Sequence, residues 1–323
     1  MFFSNIAVLR GGISSEYDIS MQTGASVMSV LEDTPYRIKD IIITRAGEWL
    51  VSGFVQSPAQ ALCDVDVVFN ALHGVYGEDG TVQRIMDRIG IPYTGSAPYP
   101  SAIAMNKYLA KEVATTAGLL TPPSFRVTRD GAADPVLIAQ RISELFGPSY
   151  VIKPVNGGSS AGMSMATNVS ELATQLFDIL KREEAVLVEK RIHGTEATVA
   201  VLEQYRDQSL YTFPPIEIIP PQETGWFNYT AKYSGDTKEI CPGRFASTIK
   251  TTLEEAASTM HKALHLAHYS RSDFIVANDG VYYLETNTLP GLTQASLFPK
   301  AVAAVGGTYE ELVLHLLDAA YRS

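Results

Sequence analysis

Apolar positions recur along the chain with two different periods, and the order of those periods predicts the architecture. Ile6-Ala7-Val8-Leu9 is a short unbroken apolar run ending at Gly11-Gly12, and residues 65–72 form a second, closed by His73-Gly74. Runs of this length read as strands buried on both faces, and the stretch 20–31 between them has helical spacing. The first hundred residues therefore predict a parallel sheet covered by helices. Such sheets take ligands outside the carboxyl ends of their strands, where Glu16 and His73 fall.

Around residue 95 the pattern changes. Pro98 and Pro100 lead to Ser101, a predicted N-cap, and to a helix through Lys107 to about Ala117, stopped by Gly118 and Pro122-Pro123. Tyr150-Val151-Ile152 and residues 185–188 read as strands flanking a helix near 170–181. From Glu196 onward the alternation predicts antiparallel strands over 197–202 and 210–219. An amphipathic helix follows, with Leu253, Ala257, Met260, Leu264 and Ala267 on one stripe. Asn278-Asp279-Gly280 between Phe274-Ile275-Val276 and residues 281–284 is a hairpin signal. The expectation is an α/β chain with an N-terminal parallel-sheet domain over 1–96, a central part over 97–188 and a C-terminal part over 189–323.

Composition narrows the classes. With 46% hydrophobic and 19% charged residues in 323, the chain has material for two or three cores and is not disordered; three domains fit better. Lys plus Arg number 25 against 35 Asp plus Glu, a net charge of −10 that argues against nucleic acid as a partner. A locally basic pocket for a small phosphate ligand stays open. No apolar run approaches the roughly 18 residues needed to span a bilayer, so no membrane partner is expected. The start lacks a basic segment before its apolar run, and the chain is expected to be cytoplasmic. Cys63 and Cys241 read as two reduced, partly buried thiols, and His193, His261, His265, His268 and His315 as structural or solvated.

Three constellations carry candidate chemistry. The loop from Lys153 to Ser164 holds three glycines and three serines after a strand. Its backbone N–H groups can approach a phosphate closely, with Lys153 and Lys107 as cations. It is neither a Walker A loop nor G-x-G-x-x-G. The predicted hairpin sets Asp273 on one strand and Glu285 and Asn287, two apart and so on one face, on the next. Two carboxylates and an amide oxygen are hard donors suited to Mg²⁺ rather than zinc. Arg271 beside them can stabilise developing negative charge. Lys232-Tyr233 lies in a polar loop, 228–239, whose composition fits a lid and an ordinary surface loop equally.

Together these residues resemble the D-alanine–D-alanine ligases of the ATP-grasp superfamily. The likeness runs through Gly11-Gly12 with Ser15-Glu16, Ala71-Leu72-His73-Gly74 with Gly77-Glu78-Asp79-Gly80, and Tyr93-Thr94-Gly95-Ser96. It continues through Lys153-Pro154 with Gly158-Ser159-Ser160, Val188-Glu189-Lys190, Ala231-Lys232-Tyr233 and Cys241-Pro242. It ends with Arg271-Ser272-Asp273, Leu284-Glu285-Thr286-Asn287, Pro290-Gly291 and Ser296-Leu297.

The resemblance implies a two-part ATP-grasp fold after the N-terminal domain, and ATP-driven joining of two D-alanines for peptidoglycan synthesis. It implies that Lys107 and Lys153 contact ATP phosphates, with Ser160 in the loop over them. Glu189, Lys190 and Ile192 would meet the adenine, and Glu196 the ribose. Asp273, Glu285 and Asn287 would hold two Mg²⁺ (or Mn²⁺). Glu16, with Ser159 and Tyr233, would orient the first D-alanine, and His73 would lie near its carboxylate. Arg271 and the Gly291 N–H would form the oxyanion site, while Ser296, Leu297 and Lys232 would hold the second D-alanine. A homodimer is expected.

Thr230, Gly243-Arg244 and Gln294-Ala295 depart from the commoner pattern around the lid and acceptor site. Same-fold ligation to D-lactate or D-serine is the nearest alternative. A nicotinamide oxidoreductase and a non-catalytic ATP sensor are the others.

Overall fold

Three sheets carry the chain, and the candidate residues sit along their edges and strand ends. The computed structural model describes residues 4–131, 134–157, 162–220 and 237–323. Ser159, Ser160, Thr230, Lys232 and Tyr233 lie outside the described residues.

The first sheet has the order β4-β3-β2-β1-β5, with β1 (Asn5–Gly11), β2 (Arg37–Ile43), β3 (Trp49–Val51), β4 (Phe54–Gln56) and β5 (Val67–Asn70). β1 runs parallel to β2 and β5, as expected, but β3 and β4 add antiparallel strands at one edge, so the sheet is mixed. Ile6, Ala7, Val8 and Leu9 are fully buried, the consequence of an apolar run with no polar face. α1 (Tyr17–Leu31) starts earlier than its apolar spacing suggests, which puts Glu16 at the helix N-cap. α2 (Pro58–Ala61) and α3 (Thr81–Ile89) complete this part.

The single helix expected from Ser101 to Ala117 is two: α4 (Pro98–Met105) and α5 (Lys107–Thr116). Pro98 fills the first turn of α4, so Ser101 is buried inside the helix rather than capping it. Asn106 ends α4 and caps α5, its side chain accepting from Leu109 N at 3.0 Å.

The second sheet is antiparallel, order β6-β9-β7-β8, from β6 (Ser124–Thr128), β7 (Tyr150–Pro154), β8 (Ser164–Ala166) and β9 (Ala185–Lys190). α6 (Pro135–Phe146) and α7 (Val169–Ile179) share its hydrophobic cluster. The expected division at residue 188 falls inside β9.

The third sheet has the order β13-β12-β10-β14-β15, with β11 also on β10. Its strands are β10 (Thr195–Tyr205), β11 (Gln208–Thr212), β12 (Ile216–Ile219), β13 (Lys238–Ile240), β14 (Tyr269–Ala277) and β15 (Gly280–Asn287). The expected strand 210–219 is broken because Pro214 and Pro215 lack the N–H a ladder needs. Lys238 and Glu239, read as loop, belong to β13. The amphipathic helix α8 (Ser247–Ala263) buries Leu253, Ala257 and Met260 against Val199, Val201 and Phe274; Ala267 lies past its end. α9 (Leu297–Ala304) and α10 (Tyr309–Arg322) close the chain.

One hydrophobic cluster joins the first and third sheets. Ile6, Val8 and Phe69 share it with Leu202, Phe298 and Leu316. Each such fully buried side chain contributes about 1.5–3 kcal/mol, which fixes the two sheets' relative placement. His268 Nδ1 accepts from Gly95 N at 3.0 Å across the same junction, and His261 meets Ser270 Oγ at 2.8 Å. Cys241 is half-buried as expected, but Cys63 is exposed; both are free thiols. No helix among the described residues is long and apolar enough to cross a membrane.

Candidate active site

The second and third sheets face each other across a cleft of about 200 Å³, lined by Lys153, Glu189, Lys190 and Ile192 on the side of the second sheet and by Glu196 of β10 on that of the third. Arg271, Asp273, Glu285 and Leu297 also line the third sheet's side. Met163, Met165, Ile218 and Leu284 give it apolar surface. A partly apolar cleft with a few convergent charges is the form small-molecule sites take.

The first wall is built on neighbouring antiparallel strands. β7 supplies Lys153 and β9 supplies Glu189, and Lys153 Nζ lies 2.7 Å from Glu189 Oε2. Lys111 of α5 meets the other carboxylate oxygen at 2.8 Å. All three side chains are buried. Burial alone would raise the Glu189 pKa; the charges of Lys111 and Lys153 overcome it and hold the carboxyl below its ordinary value.

The second wall is the β14–β15 hairpin. Asp273 stands opposite Glu285, and Arg271 opposite Asn287, so the period of two gathers all four on one patch. Arg271 donates to Asp273 from Nε at 3.1 Å and from Nη2 at 3.2 Å, while Thr198 Oγ1 donates to Asp273 at 2.6 Å. Asn287 Nδ2 approaches Asp273 at 3.3 Å. Lys107 Nζ lies 3.3 Å from Glu285 and also donates to the Gly157 carbonyl.

Asp273, Glu285 and Asn287 are oxygen-bearing side chains in one place, which fits a hard divalent cation. Among the described residues no group of three or more His, Cys, Asp or Glu forms a metal cluster, so the third donor is the amide.

Beyond Arg271 lies a third group at the strand ends of the first sheet. Gly74 N donates to Glu78 Oε1 at 2.9 Å and Leu289 N to Glu78 Oε2 at 3.3 Å. Burial, helped by the charge of Glu16, pushes the Glu78 carboxyl up to about 7. His73 has both ring nitrogens engaged, by the Leu289 carbonyl and by Thr23 Oγ1, each at 2.9 Å. Burial drives its pKa down to about 4. The carbonyl can only accept, so Nδ1 carries the proton and Nε2 accepts from Thr23. Gly74 has φ +71, and a Cβ there would lie 2.7 Å from Glu16 Oε2, so the glycine is what lets Glu16 stand against this turn. On the far side, a Cβ at Gly291 would lie 3.1 Å from Ser296 Oγ, which bonds Thr293 Oγ1 at 2.7 Å.

The structure thus gathers those expected residues that are described into three adjoining groups. Glu78, Lys111 and Thr198 join them without having been singled out. Thr198 faces Asp273 in register from β10, a neighbour that only the sheet order reveals. Lys111 had a signal, being one helical turn from Lys107. His193, read as structural or solvated, lines the cleft. Gly243-Arg244 is accounted for: Arg244 clasps Glu217 through Nε at 2.9 Å and Nη2 at 2.7 Å, and a Cβ at Gly243 would meet Phe245 at 2.7 Å.

The family model described as D-ala D-ala ligase C-terminus matches residues 113–318, and that described as D-ala D-ala ligase N-terminus matches 53–96. This chain belongs to the D-alanine–D-alanine ligase family. The D-alanine–D-alanine ligase of Syntrophobacter fumaroxidans is 37% identical over 316 residues, 98% of this chain and 97% of the relative. That of Geobacter sulfurreducens is 38% identical over 321 residues, 98% and 94% of the two chains.

The fold is that of the ATP-grasp ligases. The VanG D-Ala:D-Ser ligase of Enterococcus faecalis superposes with a TM-score of 0.85 at 29% identity, covering 99% of this chain and all of its own. The Bacillus anthracis D-alanine–D-alanine ligase complexed with ATP gives 0.79 at 29% identity, covering 99% and 97%. Membership of this family removes the nicotinamide oxidoreductase from consideration.

Proposed function

We propose that this chain joins two D-alanine molecules, driven by ATP, to give D-alanyl-D-alanine, ADP and phosphate for peptidoglycan synthesis. The observation that carries the reading is the cleft itself. Each of its walls presents a carboxylate to a lysine of α5, in a chain 37% identical over 98% of its length to a D-alanine–D-alanine ligase.

In this reading ATP lies along the cleft, its base against Glu189, Lys190 and Ile192, its ribose near Glu196 and its phosphates toward Lys107 and Lys153. The Bacillus anthracis relative complexed with ATP supports the choice of nucleotide. Asp273, Glu285 and Asn287 would hold two Mg²⁺ (or Mn²⁺), which when bound neutralise the phosphates and orient the transferring group. Arg271 then answers to substrate as well as to Asp273.

A carboxylate is a poor electrophile, so the γ-phosphoryl group passes to the first D-alanine carboxylate and makes an acyl phosphate. Glu16 orients that substrate's ammonium. The second D-alanine, held by Ser296 and Leu297, attacks the acyl carbon as a neutral amine. Arg271 and the Gly291 N–H stabilise the oxyanion of the tetrahedral species, and phosphate leaves. His73 is neutral, with Nδ1 donating to the Leu289 carbonyl and Nε2 accepting from Thr23, so beside the first substrate's carboxylate its role is to hold the turn against Leu289. Ser159, Ser160, Lys232 and Tyr233 keep the roles their motifs imply.

D-Alanine is favoured over D-serine as acceptor because the relatives at 37–38% identity are D-alanine–D-alanine ligases, whereas the D-Ala:D-Ser ligase stands at 29%. The proposed units are 1–96, 97–188 and 189–323, and a homodimer is proposed from the resemblance alone. A coupled ADP-release assay with D-alanine, D-serine and D-lactate, the products separated by mass, tests the reading. D-Alanyl-D-alanine should dominate, and its synthesis should rise from mildly acidic to mildly alkaline pH as more acceptor amine is neutral. ADP release indifferent to D-alanine would sink it.

A further inference from the structure

Among the buried charges of the cleft, the mechanism leaves Lys111 without a task. Its side chain is 4% exposed, and it is absent from the lining of the cleft that Glu189 and Lys153 share. It stands behind Glu189, at 2.8 Å from Oε1, while Lys153 stands in front at 2.7 Å from Oε2. α5 is anchored there by Lys107 N donating to the Val155 carbonyl at 2.9 Å. One turn apart on that helix, Lys107 serves Glu285 of the third sheet and Lys111 serves Glu189 of the second.

We propose that Lys111 is a positioning residue: it gives Glu189 a counter-ion of its own and thereby frees the charge of Lys153 for the phosphates of the nucleotide. The inference rests on the ATP-dependent reading above and adds a residue to it. A buried carboxylate with one lysine holds that lysine hard, because parting them strands a charge in a low-dielectric site. Two lysines on one carboxylate carry a net positive charge, and the outer one can turn to a phosphate while the inner one keeps Glu189 paired. Burial lowers the ammonium pKa of Lys111, and Glu189 opposes that shift, which ties each group's charge to the other's.

The test is calorimetric and uses the full chain with Mg²⁺, a non-hydrolysable ATP analogue and, in competition, adenosine. The ratio of the two dissociation constants measures what the phosphates contribute. Lys111→Met should cut that ratio by about tenfold with adenosine affinity changed less than about twofold, since adenosine does not need Lys153. Lys111→Arg should restore the ratio. In Lys111→Met/Glu189→Gln no carboxylate remains to hold Lys153, so the ratio should return to within about twofold of the parent's.

Where Lys111→Met alone folds poorly, Lys111→Gln, which keeps a polar group but no charge, takes its place beside the double variant. A merely structural lysine would lower both affinities together, and that outcome overturns the proposal. So does an unchanged ratio in Lys111→Met, or a ratio still cut about tenfold in the double variant. A parent that binds the analogue but releases no ADP with D-alanine would defeat the ligase reading and leave this one to the calorimetry. A parent that binds no analogue would defeat both.

Discussion

The two walls of the cleft pair a carboxylate with a lysine of the same helix and differ in how much water reaches the pair. On the second sheet the Glu189 side chain is 3% exposed, between two lysines. On the hairpin Asp273 and Glu285 are each 20% exposed, and their cations are Arg271 and Lys107. In the dry wall Glu189 cannot lose both lysines without stranding a charge, so the carboxylate and Lys111 are fixed before any ligand arrives, and only Lys153 is free to turn. In the wetter wall solvent shares the cost of parting an ion pair, so a metal ion can replace a side-chain cation. The difference teaches a division of labour. On the proposed reading, the dry wall recognises and the wet wall does the transfer.

Substitutions at the wet wall should therefore strike turnover and spare the fold. Glu285→Gln should lower turnover by about 10³-fold, because the lost charge weakens the metal clamp most in the transition state. Thermal denaturation of that variant should stay close to the parent's, measured beside initial rates at ordinary Mg²⁺. Full turnover would remove Glu285 from the transfer machinery. Arg271→Ala should cost about 10²-fold, the usual loss for one oxyanion donor, and the loss should fall on kcat. A change confined to the apparent ATP affinity would make Arg271 a binding residue instead.

The dry wall should answer in the opposite sense. Glu189→Gln leaves two buried lysines without their carboxylate, and breaking such a pair costs about 3–5 kcal/mol. Its denaturation midpoint should fall well below that of Glu285→Gln in parallel melts. Equal midpoints for the two variants would erase the distinction between the walls.

The smallest effect belongs to the buried pair at the strand ends, and its sign follows from proton counts. Glu78 titrates near 7 in the folded chain against an ordinary 4.5, so the folded state holds more protons in that window and stability falls as pH rises through it. His73 titrates near 4 against 6.5, so there the unfolded state holds more protons and stability rises with pH. The slopes oppose between 4.5 and 6.5 and largely cancel in the parent. Glu78→Gln should unmask the histidine, giving a melting temperature that climbs more steeply with pH over that span. Parallel profiles for variant and parent would show that Glu78 is already ionised when folded.

How much of this was legible in the sequence depended on whether the deciding contact was local. The hairpin was, because Asn278-Asp279-Gly280 is a turn signal and the period of two places Glu285 and Asn287 on one face. The partner strand was not, because Thr198 reaches Asp273 only through the order β10-β14, which no local pattern encodes. Ser101 was misread for a local reason: Pro98 can open a helix as well as Ser101 can cap one, and Asn106 then restarts it. Pro214-Pro215 was a local break passed over. Glu78 stood in a motif quoted for its glycines, and only burial beside Glu16 and Arg271 reveals its altered titration.

The central claim is that this cleft moves phosphate onto the carboxylate of D-alanine, and isotope transfer tests it most directly. D-Alanine labelled with ¹⁸O in both carboxylate oxygens is incubated with ATP and Mg²⁺, and the released phosphate is weighed by mass spectrometry. An acyl phosphate hands one carboxylate oxygen to the phosphate when the second amine attacks. The phosphate should therefore carry one ¹⁸O for each D-alanyl-D-alanine formed. Unlabelled phosphate, released in step with dipeptide, would contradict the account.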